Sequence, residues 1–508
     1  MTNSMLENLL PQPQSLVPHE GCLPLAPDPA VTPVGEDSRF AASRLADLLA
    51  EEFGLQPLVH TPCCTENGLC AIRLGPDPPV QMPRDLPNHP EGFVLTVTPS
   101  GAAAWARTSG GVLHAAMTLR QLAQRENGAV SLPCATIRDW PRFPWRAFMI
   151  DSGRSPNSLS KIKRIIRICS AFRLNCLIFR EGDDELNAVR YRSNPLGSEN
   201  PYALTMDEVT DMVEYARRFG ISVVPEVESL GHSSAKGRHY PDLVSGGFEH
   251  DYGFVRHIRK SHLAPGDPRS YELLRSIYEE WLPLLPEPML HLGLDEVRLP
   301  PEEQERHLEG LLRLIDDLSE KAGRQVTPIV WGDAPPTPPR WKGRVVRCLW
   351  NYGDGDPNTP DNPHLLKQNA PALLSGDSTE PVFLAGGSGS LHVPDSKSGY
   401  REAVLNLLSW AQWARDAENV TGLLAVQWSG NSTDDWLPDF LTAADFGWNV
   451  PAGPVDPDRR LERVRWHLSR LRDAADPAPD EVDPPCWDGI WLKDGDWFED
   501  IASGIRKP

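Results

Sequence analysis

Residues Thr205–Glu226, TMDEVTDMVEYARRFGISVVPE, decide the reading of the fold, because this one stretch holds a helix and the strand that follows it. Thr205 and Glu208 have capping-box spacing, Val209, Met212, Val213, Ala216 and Phe219 recur at helical intervals, and Gly220 stands at the stop. Ile221–Glu226 then reads as a short apolar strand ending in a carboxylate. The unit repeats in both directions. Further strands are expected at Arg146–Asp151, Asn175–Phe179, Met289–Leu294, Thr327–Trp331, Val345–Trp350, Pro381–Leu384 and Gly422–Trp428. Between several of them lie helices: Ile162, Ile165, Ile166, Cys169 and Phe172 share one face, a third helix opens at Asp267-Pro268, and a fourth carries Leu308, Leu311, Leu312 and Ile315 before Gly323. Residues 351–380 read as a long loop. Eight strands alternating with helices over about 300 residues predict an α/β chain whose main domain is a (β/α)₈ TIM barrel. A doubly wound sheet would favour a Gly-rich phosphate turn after its first strand, and Asp151-Ser152-Gly153-Arg154 is not one.

Ahead of the barrel a small α+β domain is expected, with a helix at Phe40–Phe53, a strand at Phe93–Thr98 closed by Pro99-Ser100-Gly101, and a helix at Gly111–Leu122. Past Trp448 the chain turns Pro/Asp-rich, carries a helix near Leu461–Leu471 and ends with Trp487, Trp491 and Trp497. The expected division is 1–137 for the N-terminal domain, 138–450 for the barrel and 451–508 for a C-terminal extension.

Composition narrows the function classes. A net charge of -20 argues against a nucleic-acid or anionic-membrane partner, both of which need clustered Lys and Arg. No apolar run is long enough to span a membrane, and Met1 through Pro29 lacks the pattern of a secretory signal, so a cytoplasmic location is expected. The nine cysteines, Cys63, Cys64 and Cys70 among them, show no zinc-ligand spacing and read as reduced thiols. No metal or other cofactor is expected.

In a barrel the active site gathers at the carboxyl ends of the strands. Those ends supply Asp151 and Arg154, then Glu181, Asp183 and Asp184, then Glu226, Glu228 and His232, then Asp295 and Glu296, with Trp331, Trp350 and Trp428 finishing three others. Carboxylates suit protonation of a glycosidic oxygen and stabilisation of a cationic transition state, and aromatic walls suit the apolar faces of a sugar. Asp295 and Glu296 are adjacent, so they cannot easily flank a glycosidic bond from two sides; if both act on one sugar, something else should be the nucleophile. A 2-acetamido carbonyl can be that nucleophile, with Asp295 orienting the acetamido nitrogen and Glu296 protonating the leaving group. The dipeptide alone reads first as an acidic helix start, and its place at a strand end among these companion residues reverses that. The residues alone also leave His232 open as a loop histidine, and Trp331 and Trp350 as barrel packing. An oxygen-ligand metal set of Asp183, Glu226 and Asp295 is a further, weaker reading.

Arg138-Asp139-Trp140-Pro141-Arg142-Phe143-Pro144-Trp145-Arg146 and His291-Leu292-Gly293-Leu294-Asp295-Glu296-Val297 resemble the barrel opening and the catalytic motif of glycoside hydrolase family 20. Leu10-Pro11-Gln12-Pro13-Gln14, Gly92–Val97 and Thr118–Leu122 are similar to that family's N-terminal unit. The resemblance implies a β-N-acetylhexosaminidase acting on N-acetylhexosamine-terminated oligosaccharides or glycoconjugates. It implies that Arg154 binds outer sugar hydroxyls, that His232 couples to Asp183 or Glu181 and tunes Glu296, and that Trp428, with Trp331 and Trp350, walls the acetamido-bearing ring. Three departures accompany it. Ile178-Phe179-Arg180 stands where the family has His-x-His, no Tyr-x-Asp follows the seventh strand at Phe383–Ser390, and Ser429-Gly430-Asn431 lacks an acidic residue after Trp428. Glu181-Gly182-Asp183-Asp184 and Ser229-Leu230-Gly231-His232 lean toward the hexosaminidase-D-like branch, some of which favour N-acetylgalactosamine. A decayed, purely sugar-binding barrel is the competing function.

Overall fold

The computed structural model describes residues 2–61, 70–75, 78, 79, 81, 83–154, 157–184, 186–245, 248–251, 256–259, 262–352, 362–387, 397–428 and 433–475. Eight parallel strands close into a barrel in sequential order: β1 (Trp145–Asp151), β2 (Cys176–Arg180), β3 (Ser222–Glu226), β4 (Met289–His291), β5 (Thr327–Trp331), β6 (Val346–Trp350), β7 (Val382–Gly386) and β8 (Val420–Ala425). The crossovers carry α1 (Leu159–Ala171), α2 (Met206–Arg218), α3 (Pro268–Trp281), α4 (Pro301–Ala322) and α5 (Lys397–Trp413), and α6 (Leu437–Trp448) follows β8. Helix starts are local chemistry. Thr205 and Glu208 close a reciprocal capping box on α2, and Asp267 caps α3 ahead of Pro268. The stripe Ile162, Ile165, Ile166, Cys169 and Phe172 is wholly buried, as are Met149, Ile178, Val224, Ile329, Leu349 and Leu384 on the strands. Each such aliphatic side chain contributes roughly 1.5–3 kcal/mol, which offsets the charged layer described below.

Register builds that layer. Arg180 pairs with Asp151 on one side and Glu226 on the other, and Glu226 pairs with His291, so four polar residues share one level at the carboxyl end. Three expectations change, one being that β8 ends at Ala425 and not at Trp428, which lies three residues beyond it. β4 stops at His291 instead of Leu294, because Gly293 and Leu294 take φ of 69° and 77° and leave the extended region. Residues 351–380 hold two short helices, Pro363–Lys367 and Ala370–Leu373, within the expected loop. Between β5 and β6 only a 3-10 turn, Pro339–Trp341, replaces a crossover helix, since Pro335, Pro336, Pro338 and Pro339 remove the donors a helix needs.

The described residues divide into two compact units, those within 2–146, 167–174 and 444–475, and those within 147–166 and 175–443. The first contains a sheet of Ser15–Leu25, Ala129–Asp139, Phe93–Thr98, Gly101–Ala106, Cys70–Leu74, Ala30–Val34 and Leu58–Val59 in that spatial order, with the helices Arg39–Phe53 and Ser109–Leu122. The expected late helix runs from Pro457 to Ser469. Trp487, Trp491 and Trp497, like Cys63 and Cys64, lie outside the described residues, whereas Cys134, Cys169, Cys176 and Cys348 are buried and in no disulfide. No helix among the described residues is long and apolar enough to cross a membrane.

Candidate active site

Arg180 is the centre of the polar layer. Its guanidinium, fully buried, reaches Glu226 Oε1 at 2.5 Å, Asp183 Oδ2 at 2.6 Å and Glu228 Oε1 at 2.7 Å, with Asp151 Oδ1 at 3.9 Å. Burial works against its charge, but Glu226, Asp183 and Glu228 overcome that and raise its pKa well above the usual value. Arg154 adds a second cation, on Asp151 at 3.1 Å and Asp183 at 2.9 Å. The carboxylates respond unequally. Burial would raise Asp183, yet Arg154, Arg180 and His232 hold it well below the usual range. Glu226 is raised by burial, and Glu228 is raised further by burial and the neighbouring Asp295. Arg180 therefore neutralises a layer that would otherwise hold uncompensated buried carboxylates. The sequence reading treated Arg180 only as a departure, although the strand-end rule that selected its neighbours applies to it equally.

His232 joins that layer to the adjacent acids. Its Nδ1 lies 3.3 Å from both Asp183 Oδ1 and Asp184 Oδ2, and its Nε2 lies 3.6 Å from Asp295 Oδ2 and 3.5 Å from Glu296 Oε2. Burial disfavours the imidazolium, but Asp183 and Asp295 dominate and raise its pKa well above the ordinary histidine value. Asp184 secures the loop, accepting from Ser234 N at 3.0 Å and Ser234 Oγ at 2.7 Å. Of the two carboxylates expected beside His232, Asp183 is the one in contact. Glu181 is fully buried, with its pKa raised by burial, and its described polar neighbours are Lys236, Tyr191, Arg180 and Glu226.

The backbone explains how adjacent side chains serve one pocket. Leu294 and Glu296 both have positive φ, 77° and 52°, an arrangement that costs about 1–3 kcal/mol per residue. Asp333 stabilises it, accepting the Glu296 N–H on Oδ2 at 2.9 Å and the Trp350 Nε1 proton on Oδ1 at 3.0 Å. Gly293 is required sterically, since a Cβ there would lie 2.1 Å from Glu228 Oε2. α4 begins only at Pro301, so Asp295 and Glu296 are not a helix start. The pair is asymmetric: the Asp295 side chain is 10% exposed and that of Glu296 45%, placing Glu296 at the mouth.

Trp331 is wholly enclosed and donates Nε1 to Glu226 Oε1 at 2.7 Å; its ring lies 5.6 Å from that of Trp428. Trp428 receives the guanidinium groups of Arg180 and Arg154 over its ring at 5.0 and 5.4 Å. Trp350 is partly exposed and stacks on Tyr352. Sequence reasoning passed over Asp333 and Tyr352, each two residues beyond a strand-end tryptophan. Ser429, Gly430 and Asn431 lie outside the described residues, as do Ser388, Gly389 and Ser390. Asp183, Asp184 and His232 each offer a ligand atom within 4.8 Å of the others, spacing a cation could use, but Asp183 is already engaged by two guanidinium groups. Glu226 of the metal set considered from sequence is likewise engaged by Arg180.

Residues 143–322 match the model of the glycosyl hydrolase family 20 catalytic domain, and residues 7–140 match that of the same family's domain 2. A β-N-acetylhexosaminidase of Cellulomonas fimi is 25% identical over 406 residues, covering 73% of this chain and 77% of its own length. A β-hexosaminidase of Vibrio furnissii is 29% identical over 240 residues, covering 42% of this chain and 39% of its own. The chain thus matches less than half the length of some of these relatives. Among solved structures, a GH20 β-N-acetylhexosaminidase from Streptomyces coelicolor A3(2) shares the fold with a TM-score of 0.73 at 20% identity, covering 94% of this chain and 99% of that one.

Proposed function

Because the chain belongs to glycoside hydrolase family 20, we propose that it is a retaining exo-β-N-acetylhexosaminidase, releasing terminal β-linked GlcNAc or GalNAc from oligosaccharides or glycoconjugates. One observation carries the mechanism: Asp295 and Glu296 both approach the same nitrogen of His232. We read this pair, adjacent in the chain and held by one imidazole nitrogen, as serving a single side of the sugar, unlike a nucleophile and acid pair, which flanks the anomeric carbon at about 5–5.5 Å. Glu226, Glu228 and Asp183 are bound to Arg180 within the buried layer. The substrate then supplies the nucleophile.

The 2-acetamido carbonyl oxygen bonds to the anomeric carbon as the glycosidic C–O bond breaks, and Glu296 donates its proton to the departing oxygen. Asp295, deeper and more enclosed, accepts from the acetamido N–H and stabilises the positive oxazolinium ion. Water, deprotonated by Glu296, then opens the ring with net retention. His232, linked to Asp183, orients both acids. Arg154 at the pocket edge takes outer hydroxyls, and Trp428 and Trp350 cover the apolar ring faces. No metal participates. The test is hydrolysis of aryl N-acetyl-β-glucosaminide and galactosaminide beside the 2-hydroxy analogues. Turnover of at least one N-acetyl sugar supports the proposal; turnover of the 2-hydroxy sugars alone removes it. A pure binding role is disfavoured by the shared contact of His232 with Asp295 and Glu296, which sugar binding alone does not require.

A further inference from the structure

The loop after β3 carries His232, and its conformation is held against strain. His232 takes a φ of 43°, an arrangement that costs about 1–3 kcal/mol in a residue other than glycine. Neighbouring segments fix the loop: Ser229 Oγ donates to the Leu292 carbonyl at 2.6 Å, Leu263 N donates to the Leu230 carbonyl at 2.8 Å, and Ser234 donates to Asp184. A Cβ on Gly231 would lie 2.8 Å from the Asp295 carbonyl oxygen, so the loop rests directly on the segment that bears the two acids. One further anchor comes from outside the pocket. His307, buried in the second turn of α4, reaches the Ser229 carbonyl with Nε2 at 2.9 Å.

The partners of His307 decide which of its nitrogens carries the proton. A carbonyl oxygen only accepts, so Nε2 is the donor and Nδ1 the acceptor. Nδ1 lies 3.2 Å from the hydroxyl of Tyr271 on α3, nearer than the His307 carbonyl at 3.5 Å. The Tyr271 ring stacks on the imidazole, with centroids 5.2 Å apart and 24° between planes. Its oxygen accepts the Gly266 N–H, which leaves the phenol proton for Nδ1. Burial lowers the His307 pKa to about 4, so the ring stays neutral and its donor constant through ordinary pH. Gly310 makes room for the phenol: a Cβ there would lie 2.3 Å from the Tyr271 hydroxyl, although glycine inside a helix costs about 1 kcal/mol. From the same helix Gln304 Nε2 donates to the Leu299 carbonyl at 2.7 Å, three residues beyond Glu296. α4 thus grips both loops that supply the reacting groups. Resting on the reading of Glu296 as proton donor, we propose that His307, oriented by Tyr271, is a positioning residue that sets the approach of His232 to Glu296.

His307→Leu removes the donor to Ser229, His307→Gln keeps an N–H in its place, and Tyr271→Phe keeps the ring but frees Nδ1. Each is compared with wild type on two aryl N-acetylhexosaminides, one releasing dinitrophenol and one releasing phenol. The quantity read is the ratio of the two kcat/KM values, which does not depend on the fraction of protein that is folded. A displaced pair impairs protonation of the leaving oxygen, and dinitrophenol departs without that help. His307→Leu should therefore lose up to about 100-fold on the phenyl substrate and far less on the dinitrophenyl one. His307→Gln should restore most of the ratio, and Tyr271→Phe should move it in the same direction by less. A ratio within about twofold of wild type in His307→Leu, or equal impairment of His307→Gln, would overturn the proposal, since either marks simple packing. If His307→Leu does not fold, the same ratio in Tyr271→Phe decides, and an unchanged value overturns it. Failure of the underlying reading looks different, because Glu296→Gln itself then leaves the ratio at its wild-type value.

Discussion

Replacing Arg180 with methionine keeps the volume of the side chain and removes the cation from the buried layer. Glu226, Asp183 and Glu228 then lose a partner at 2.5, 2.6 and 2.7 Å. Breaking one buried ion pair costs about 3–5 kcal/mol. Three such contacts do not triple that figure. Asp183 retains Arg154 at 2.9 Å, and Glu226 and Glu228 already sit above the usual pKa, so both take up protons readily. We therefore expect a loss near the lower bound, about 3 kcal/mol at pH 7. The sign of the pH dependence follows from the same groups. Orphaned glutamates have folded-state pKa values above the unfolded value, so the penalty is present at neutral pH and shrinks as pH falls through the raised values. Urea unfolding of wild type and Arg180→Met, followed by tryptophan fluorescence at pH 7 and pH 5, measures both effects. A deficit below about 1 kcal/mol at pH 7, or one that grows on acidification, would refute the role given to Arg180.

Three further outcomes are expected. Glu296→Gln should lower kcat on substrates with poor leaving groups by about 10²- to 10⁴-fold with little change in sugar binding, and far less with activated aryl leaving groups, as steady-state kinetics would show. Asp183→Asn should return the His232 pKa toward its ordinary value, because Asp183 is the chief group raising it against burial; NMR titration of the imidazole C–H signals reads this directly. Gly293→Ala places a Cβ against Glu228 at a φ of 69°, so we expect a lowered melting temperature and a loss of at least about 1–3 kcal/mol in unfolding free energy.

The sequence exposed the barrel because parallel strands buried on both faces are apolar runs, and β5 was legible to the residue, Thr327–Trp331. It placed β4 three residues too long, since apolar content alone does not reveal that Gly293 and Leu294 leave the strand. Most strands of the N-terminal sheet escaped notice for the opposite reason: Gly101–Ala106 is alanine-rich and buried along its whole length, which is not a strand signature. At the site, strand-end position sufficed for Asp183, His232, Asp295 and Glu296, which the structure brings into one network. It did not suffice for Arg180, whose importance lies in register with Asp151 and Glu226, residues 29 and 46 positions away in the chain. Asp333 acts by accepting the Glu296 backbone amide, a relation between residues 37 positions apart that the strand-end position of Asp333 does not by itself reveal.

The central claim is that the nucleophile belongs to the substrate, and progressive fluorination of the acetamido group tests it most directly. Fluorine weakens the carbonyl oxygen as a nucleophile while leaving the leaving group and the remainder of the sugar unchanged. Measured across aryl N-acetyl, N-fluoroacetyl, N-difluoroacetyl and N-trifluoroacetyl hexosaminides, kcat/KM should fall steeply at each step. A flat series would place the nucleophile on the protein and contradict the reading of Asp295 and Glu296.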